Sequence, residues 1–140
     1  MVTTTPSEVT LTAILQRAQA QGVLGARPIA EVLAHARGFV AALPDDAVSV
    51  ADLGSGAGIP GLVIALDRPA MRVTLVDRRA SRVDTLQRAI IALGWADRVV
   101  AVESDAEVMS RDTAFQGTFD VVVARGFGDP AITLPIAARL

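Results

Sequence analysis

The sequence predicts an α/β fold in which a parallel sheet is covered by helices on both faces. Three observations carry that prediction. From residue 48 onward, short apolar runs alternate with helical patterns, the order that builds crossover connections between parallel strands. The runs are near-continuously apolar (VSVADL, RVTLVD, VVAVE, FDVVVA), as strands with two covered faces are. The first of them ends in a glycine cluster that leads straight into a helix, Asp52-Leu53-Gly54-Ser55-Gly56-Ala57-Gly58-Ile59-Pro60-Gly61.

The elements follow in chain order. Thr5-Pro6-Ser7-Glu8 opens a helix, with Thr5 as N-cap, Pro6 in the first turn and Glu8 three residues on to complete a capping box. That helix runs to about residue 21 and stops at Gly22. A second begins at Pro28; Ile29, Val32, Leu33, Ala36, Phe39, Val40 and Leu43 recur every three or four residues and give it one apolar face. Strands are expected at 48–53, 72–77, 99–103 and 119–124, with helices at 60–66, 81–93 and 106–111 between them. Gly94 stops the helix at 81–93, and Pro130 opens a last one. The expected organisation is two N-terminal helices over residues 1–46 and a sheet-bearing core over 47–140. Val121, Val122 and Val123 read as a strand buried on both faces, yet no later strand follows to cover its outer edge. The expectation is a truncated sheet, self-association through 119–124, or an N-terminal helix folded over that edge.

Composition excludes several classes. The chain has 140 residues, 51% of them hydrophobic and 20% charged, enough for one buried core. Its longest uncharged stretch, 53–66, is broken by four glycines and a proline, so no membrane span is expected. No basic cluster precedes an apolar run at the start, so no secretory signal is expected and a cytoplasmic location fits. There is no cysteine, and the one histidine, His35, could not by itself supply a metal site, so no metal is expected. Thirteen basic residues, all arginine, stand against fifteen acidic ones; this is not a general polyanion binder.

The glycine cluster carries the chemistry, and two readings compete for it. Gly56-x-Gly58-x-x-Gly61 matches the dinucleotide fingerprint, in which a pyrophosphate rests on the helix N-terminus. Asp52-x-Gly54-x-Gly56-x-Gly58 matches the acidic-first loop that binds S-adenosylmethionine. Asp52 decides for the second: a carboxylate here repels a pyrophosphate, whereas it can accept hydrogen bonds, directly or through water, from a methionine ammonium. Asp77, at the end of the second strand, fits either ligand, since a carboxylate there can take both ribose hydroxyls of an adenosine.

From Asp52 onward the chain resembles the GidB (RsmG) family, class I methyltransferases that modify N7 of a guanine in 16S ribosomal RNA. The likeness lies in DLGSGAGIPGL at 52–62, LVDRRASRVDTL at 75–86, SDAEV at 104–108 and FDVVVARGFGDPA at 119–131, and it looks most like the shorter actinobacterial branch. It implies a Rossmann-like class I methyltransferase fold of about four strands, without the family's later ones. It also implies that Gly54 and Ile59 line the methionine portion of the cofactor, that Gly56 and Gly58 shape the turn, and that Asp77 holds the ribose. Ala106 and Glu107 would cradle the adenine, largely through backbone groups, and Arg125 would reach into the cofactor and target site. The sequence departs from the family where Arg78 stands for a serine and Ser81 for a lysine ahead of Arg82. The implied partner is 16S rRNA or the small ribosomal subunit, the implied cofactor S-adenosyl-L-methionine.

Other residues have plainer readings beside the functional ones. Arg125 could meet a guanine edge or a phosphate, or pair with Asp129 or Asp105. Phe127 could stack on a base or simply pack. Arg78, Arg79 and Arg82 form a basic cluster on one rim, or a solvated helix start. His35 is expected to be a surface or structural residue, and Trp95 to cap the end of the sheet. Three functions remain open at this stage: an rRNA guanine-N7 methyltransferase, a small-molecule methyltransferase (or a nicotinamide-dinucleotide enzyme if Asp52 misleads), and a non-catalytic cofactor-binding remnant. No catalytic residue is assigned.

Overall fold

The computed structural model describes residues 3–126 and 130–140. In chain order these form α1 (Pro6–Ala20), α2 (Ile29–Ala42), β1 (Ser49–Leu53), α3 (Gly61–Asp67), β2 (Arg72–Asp77), α4 (Ala80–Leu93), β3 (Val99–Glu103), α5 (Ala106–Arg111), β4 (Val121–Ala124) and α6 (Pro130–Arg139). The four strands make one parallel sheet in the order β3-β2-β1-β4. Val50 of β1 lies level with Val73 on one side and Val121 on the other.

Side-chain alternation along each strand sorts the residues between two cores. One face sends Val50, Val73, Leu75, Val99 and Val123 into a large cluster completed by α1 to α4. The other sends Ala51, Leu53 and Val76 into a smaller cluster with Met109 of α5, Ile136 of α6 and Leu140. The first cluster runs without a break from Leu11 and Leu15 of α1 to Val123 of β4, so the N-terminal helices share the core of the sheet. Full burial of each such leucine contributes about 1.5–3 kcal/mol, which is what holds α1 in place.

Local signals act as the sequence predicts. Thr5 Oγ1 accepts the Glu8 N–H at 3.2 Å at the start of α1. The Glu8 carboxylate itself lies 3.3 Å from Arg37 of α2, so it ties two helices together. Gly94 ends α4 at φ 74°. Trp95 is buried in the larger core and carries the Arg98 guanidinium 5.0 Å above its ring; Arg98 also donates to the Ala65 carbonyl at 2.8 Å.

The edge at β4 differs from expectation. The strand begins at Val121 rather than at 119, because the Phe119 N–H turns to the Leu140 carbonyl (3.2 Å). Asp120 is also taken: its carboxylate accepts the N–H groups of Val48 (2.8 Å) and Ser49 (3.2 Å), which also delays the start of β1 by one residue. Val121 and Val122 are half-buried and only Val123 is fully covered, as befits an outer strand. Among the described residues the N-terminal helices pack chiefly on α3 and α4 rather than on this edge.

Candidate functional site

All four strands point their carboxyl ends the same way, and the strand order reverses at β1, the place where open α/β sheets gather ligands. The glycine loop leaves β1 there. At Gly58, φ is +98°, and a side chain would also run into Leu62 (Cγ at 2.8 Å) and Leu86 (3.1 Å). Gly61 has no such φ but faces Leu75 and Asp52, whose Oδ2 would lie 2.8 Å from an added Cβ. The loop therefore packs tightly onto α3 and α4 from beneath.

Asp52 belongs to that underside. Its side chain is completely buried, Oδ2 accepts the Gly61 N–H at 2.9 Å, and Oδ1 has no hydrogen-bond partner. Burial pushes its pKa up to about 7, against the Gly61 N–H, the neighbouring Ser55 hydroxyl and the charge of Arg125, which pull it down. The carboxylate that decided between two loop readings is thus an anchor for the first turn of α3 and does not line the open cleft.

The cleft, of about 470 Å³, lies over the loop and the ends of β2 and β3. Gly54, Gly56, Asp77 and Ala106 line it, together with Arg78, Arg79, Arg82, Ser104, Asp105 and Gly126. Asp77 holds its near wall: Oδ2 accepts the Gly56 N–H (3.0 Å) and Oδ1 the Arg79 N–H (2.9 Å). Each oxygen keeps a second lone pair for a donor arriving from the cleft. The expected cluster Arg78-Arg79-Arg82 forms the rim facing it.

The other predicted residues scatter more. Ile59 is buried in the larger core, and Glu107 is exposed, paired with Arg111 at 3.1 Å. Arg125 follows β4 and is exposed, while its neighbour Gly126 borders the cleft. Phe127 and Asp129 lie outside the described residues. His35 sits on the surface of α2, edge-on to Phe39 with ring centroids 6.0 Å apart. Sequence reasoning missed Ser104 and Asp105. The signal was there: Asp105 caps α5, accepting the Glu107 and Val108 N–H groups at 2.9 and 3.4 Å, so a Ser-Asp pair before a helix marked the third strand's ligand-facing end. Among the described residues no group of three His, Cys, Asp or Glu could hold a metal ion, and no helix is long and apolar enough to cross a membrane.

Comparison with known proteins adds to this geometry. The GidB family model, described as rRNA small subunit methyltransferase G, matches residues 12–138. The ribosomal RNA small subunit methyltransferase G of Rhizorhabdus wittichii is 42% identical over 88 residues, which are 63% of this chain and 38% of that protein. That of Nitrosospira multiformis is 37% identical over 114 residues, 81% of this chain and 50% of that protein. In these matches the chain spans half or less of the relative's length. Among solved structures, a SAM-dependent methyltransferase from Thiobacillus denitrificans, in complex with S-adenosyl-L-homocysteine, superimposes with a TM-score of 0.62. It is 24% identical, over 90% of this chain and 50% of that one, a likeness of fold: the Rossmann-like class I methyltransferase sheet.

Proposed function

The chain belongs to the GidB family, and from that premise we propose that it binds S-adenosyl-L-methionine in the cleft over its glycine loop and serves methyl transfer to guanine N7 of 16S rRNA. The observation that carries the reading is Asp77: a buried carboxylate at the end of β2, fixed by two backbone N–H groups, with free lone pairs toward a cleft of about 470 Å³. That volume lies within the range of about 300–1,000 Å³ typical of small-ligand sites. The donor set fits the cofactor: Asp77 for the ribose hydroxyls, Gly54 and Gly56 for close backbone approach, Ala106 as an apolar wall for the adenine.

When bound, the sulfonium cofactor supplies an electrophilic methyl group for in-line displacement. The chain's own part is positioning. The tight packing beneath Gly58 and Gly61 holds the loop still, and alignment of this kind can lower a barrier by about 7–11 kcal/mol. Guanine N7 offers an exposed lone pair, so attack needs no base to remove a proton. The cleft agrees with that demand, being lined by carboxylates, arginines and small residues with no His. Arg125 carries its charge at the end of β4, near enough to Asp52 to stabilise the ionised carboxylate, and suits a guanine edge or a phosphate. Arg78, Arg79 and Arg82 give the rim a positive field for an RNA backbone.

Two measurements test this. Calorimetric titration with S-adenosylhomocysteine should saturate at one site, with nicotinamide dinucleotide giving no heat; the reverse result would overturn the reading of the loop. Transfer of a labelled methyl group to small ribosomal subunits should place the label on a guanine of 16S rRNA. Label found only on small molecules would move the substrate class. Self-association through the outer edge of β4 belongs to the same reading, and sedimentation at rising concentration checks it.

A further inference from the structure

Beside the cleft lies a second concavity of about 400 Å³, walled by α1 and α4. Its floor is apolar, with Ile14 and Ala18 of α1 facing Leu86 and Ala89 of α4. Its rim carries three guanidiniums, Arg17, Arg82 and Arg88, and its lining has no acidic residue. The salt bridges among the described residues involve Arg37 and Arg111, so none of these three is neutralised by a carboxylate there. The chain as a whole has a formal net charge of −2, which makes the positive rim a local feature.

Groove and cleft touch. Gly56 and Arg82 line both. The Arg82 Nη1 lies 3.3 Å from where a Gly56 Cβ would stand, so its guanidinium reaches across the glycine loop between the two spaces.

We propose that the groove holds one nucleotide of an RNA strand, its base against the apolar floor and its phosphate on the arginine rim. Charge complementarity selects this occupant. A guanidinium fork matches a phosphate, and a base needs an apolar face with hydrogen-bonding groups at its edge. The Gln21 amide in the lining supplies such a group, and Thr85 Oγ1, which donates to the Ser81 carbonyl at 3.0 Å, can still accept. Shared residues then put the bound nucleotide next to the cofactor cleft, so an RNA strand would lie across both. That the strand is RNA rests on the function proposed above; the groove's selection of a nucleotide does not.

The test uses the full chain, a short single-stranded RNA carrying 4-thiouridine, and the double variant Arg17→Ala/Arg88→Ala. Both arginines are exposed and line the groove but not the cleft, so S-adenosylhomocysteine binding should stay unchanged and certify the fold. RNA affinity should fall roughly tenfold or more, the effect expected for losing charged hydrogen bonds. The slope of log affinity against log salt should shrink by about 0.7, the share of the one single-strand phosphate contact that the rim makes. Crosslinks should map to peptides from α1 and α4. Unchanged affinity and slope, or crosslinks confined to other elements, would overturn the proposal. So would tight capture of an acidic peptide in place of the RNA. Failure of S-adenosylhomocysteine to bind the wild-type chain would count against the cofactor reading instead, and leaves the RNA result to be read on its own.

Discussion

Replacing Asp52 by asparagine removes a charge whose burial outweighs the Gly61 N–H and the Arg125 charge that favour it. The amide oxygen can still accept the Gly61 N–H, so the anchor on α3 survives while ionisation does not. With the folded pKa near 7 and the ordinary carboxylate value at 3.8, the wild-type residue binds its proton more tightly when folded. Its contribution to stability is therefore complete below pH 3.8, declines as pH rises, and levels off above about 7. Between pH 5 and the plateau near pH 8 the decline spans about two pH units, or about 3 kcal/mol at 1.36 kcal/mol per unit. Urea unfolding of both proteins at pH 5, 6, 7 and 8 isolates this difference, since every other titrating group is common to the pair. The stability of Asp52→Asn relative to wild type should rise by about 2–3 kcal/mol across that range. Parallel pH profiles would show that Asp52 is solvated or paired in the folded chain, and would remove the buried acid from the account of the loop.

Three further outcomes are expected. Asp77→Ala should weaken S-adenosylhomocysteine binding by about 1.5–3 kcal/mol, the worth of hydrogen bonds to a charged group, and an unchanged calorimetric dissociation constant would take Asp77 out of the site. Gly61→Ala should destabilise the chain by about 1–3 kcal/mol through overpacking against Leu75 and Asp52, read as a lower denaturation midpoint; equal midpoints would mean that the turn has room to move. Arg98→Met should keep much of the contact with Trp95 but leave the carbonyls of Ala65, Arg68 and Met71 without their guanidinium donor. A loss of about 1–3 kcal/mol should follow, and a thermal melt that matches wild type would count against that latch.

The sequence made the fold legible wherever local chemistry and burial agree. Thr5, Gly94 and the apolar stripe of α2 place three helix boundaries because caps and periodicity act over a few residues. Asp77 was readable for the same reason: a charged residue closing an apolar strand has few places to go but the ligand-facing end. Asp52 was half readable. Its presence by the glycines was plain, but whether its carboxylate faces the cleft or the core depends on strand alternation and on the seat of α3, both tertiary facts. The start of β4 failed similarly. Phe119 and Asp120 look like strand residues in a local window, and only their partners Leu140, Val48 and Ser49, about 20 and 70 positions away, recruit them to other work.

The strand order also has a consequence for how the chain is made. β1, β2 and β3 pair across short stretches of sequence, and with their helices they carry Gly54, Gly56, Asp77 and Ala106. β4 pairs with β1 only after some seventy intervening residues, and the Asp120 carboxylate then clasps the backbone of Val48 and Ser49. Shorter loops cost less entropy to close than longer ones, and a chain emerging from its N-terminus presents β1, β2 and β3 first. The half of the cleft assigned to the nucleoside can thus take shape during synthesis, before β4 and the Arg125 that follows it have left the ribosome.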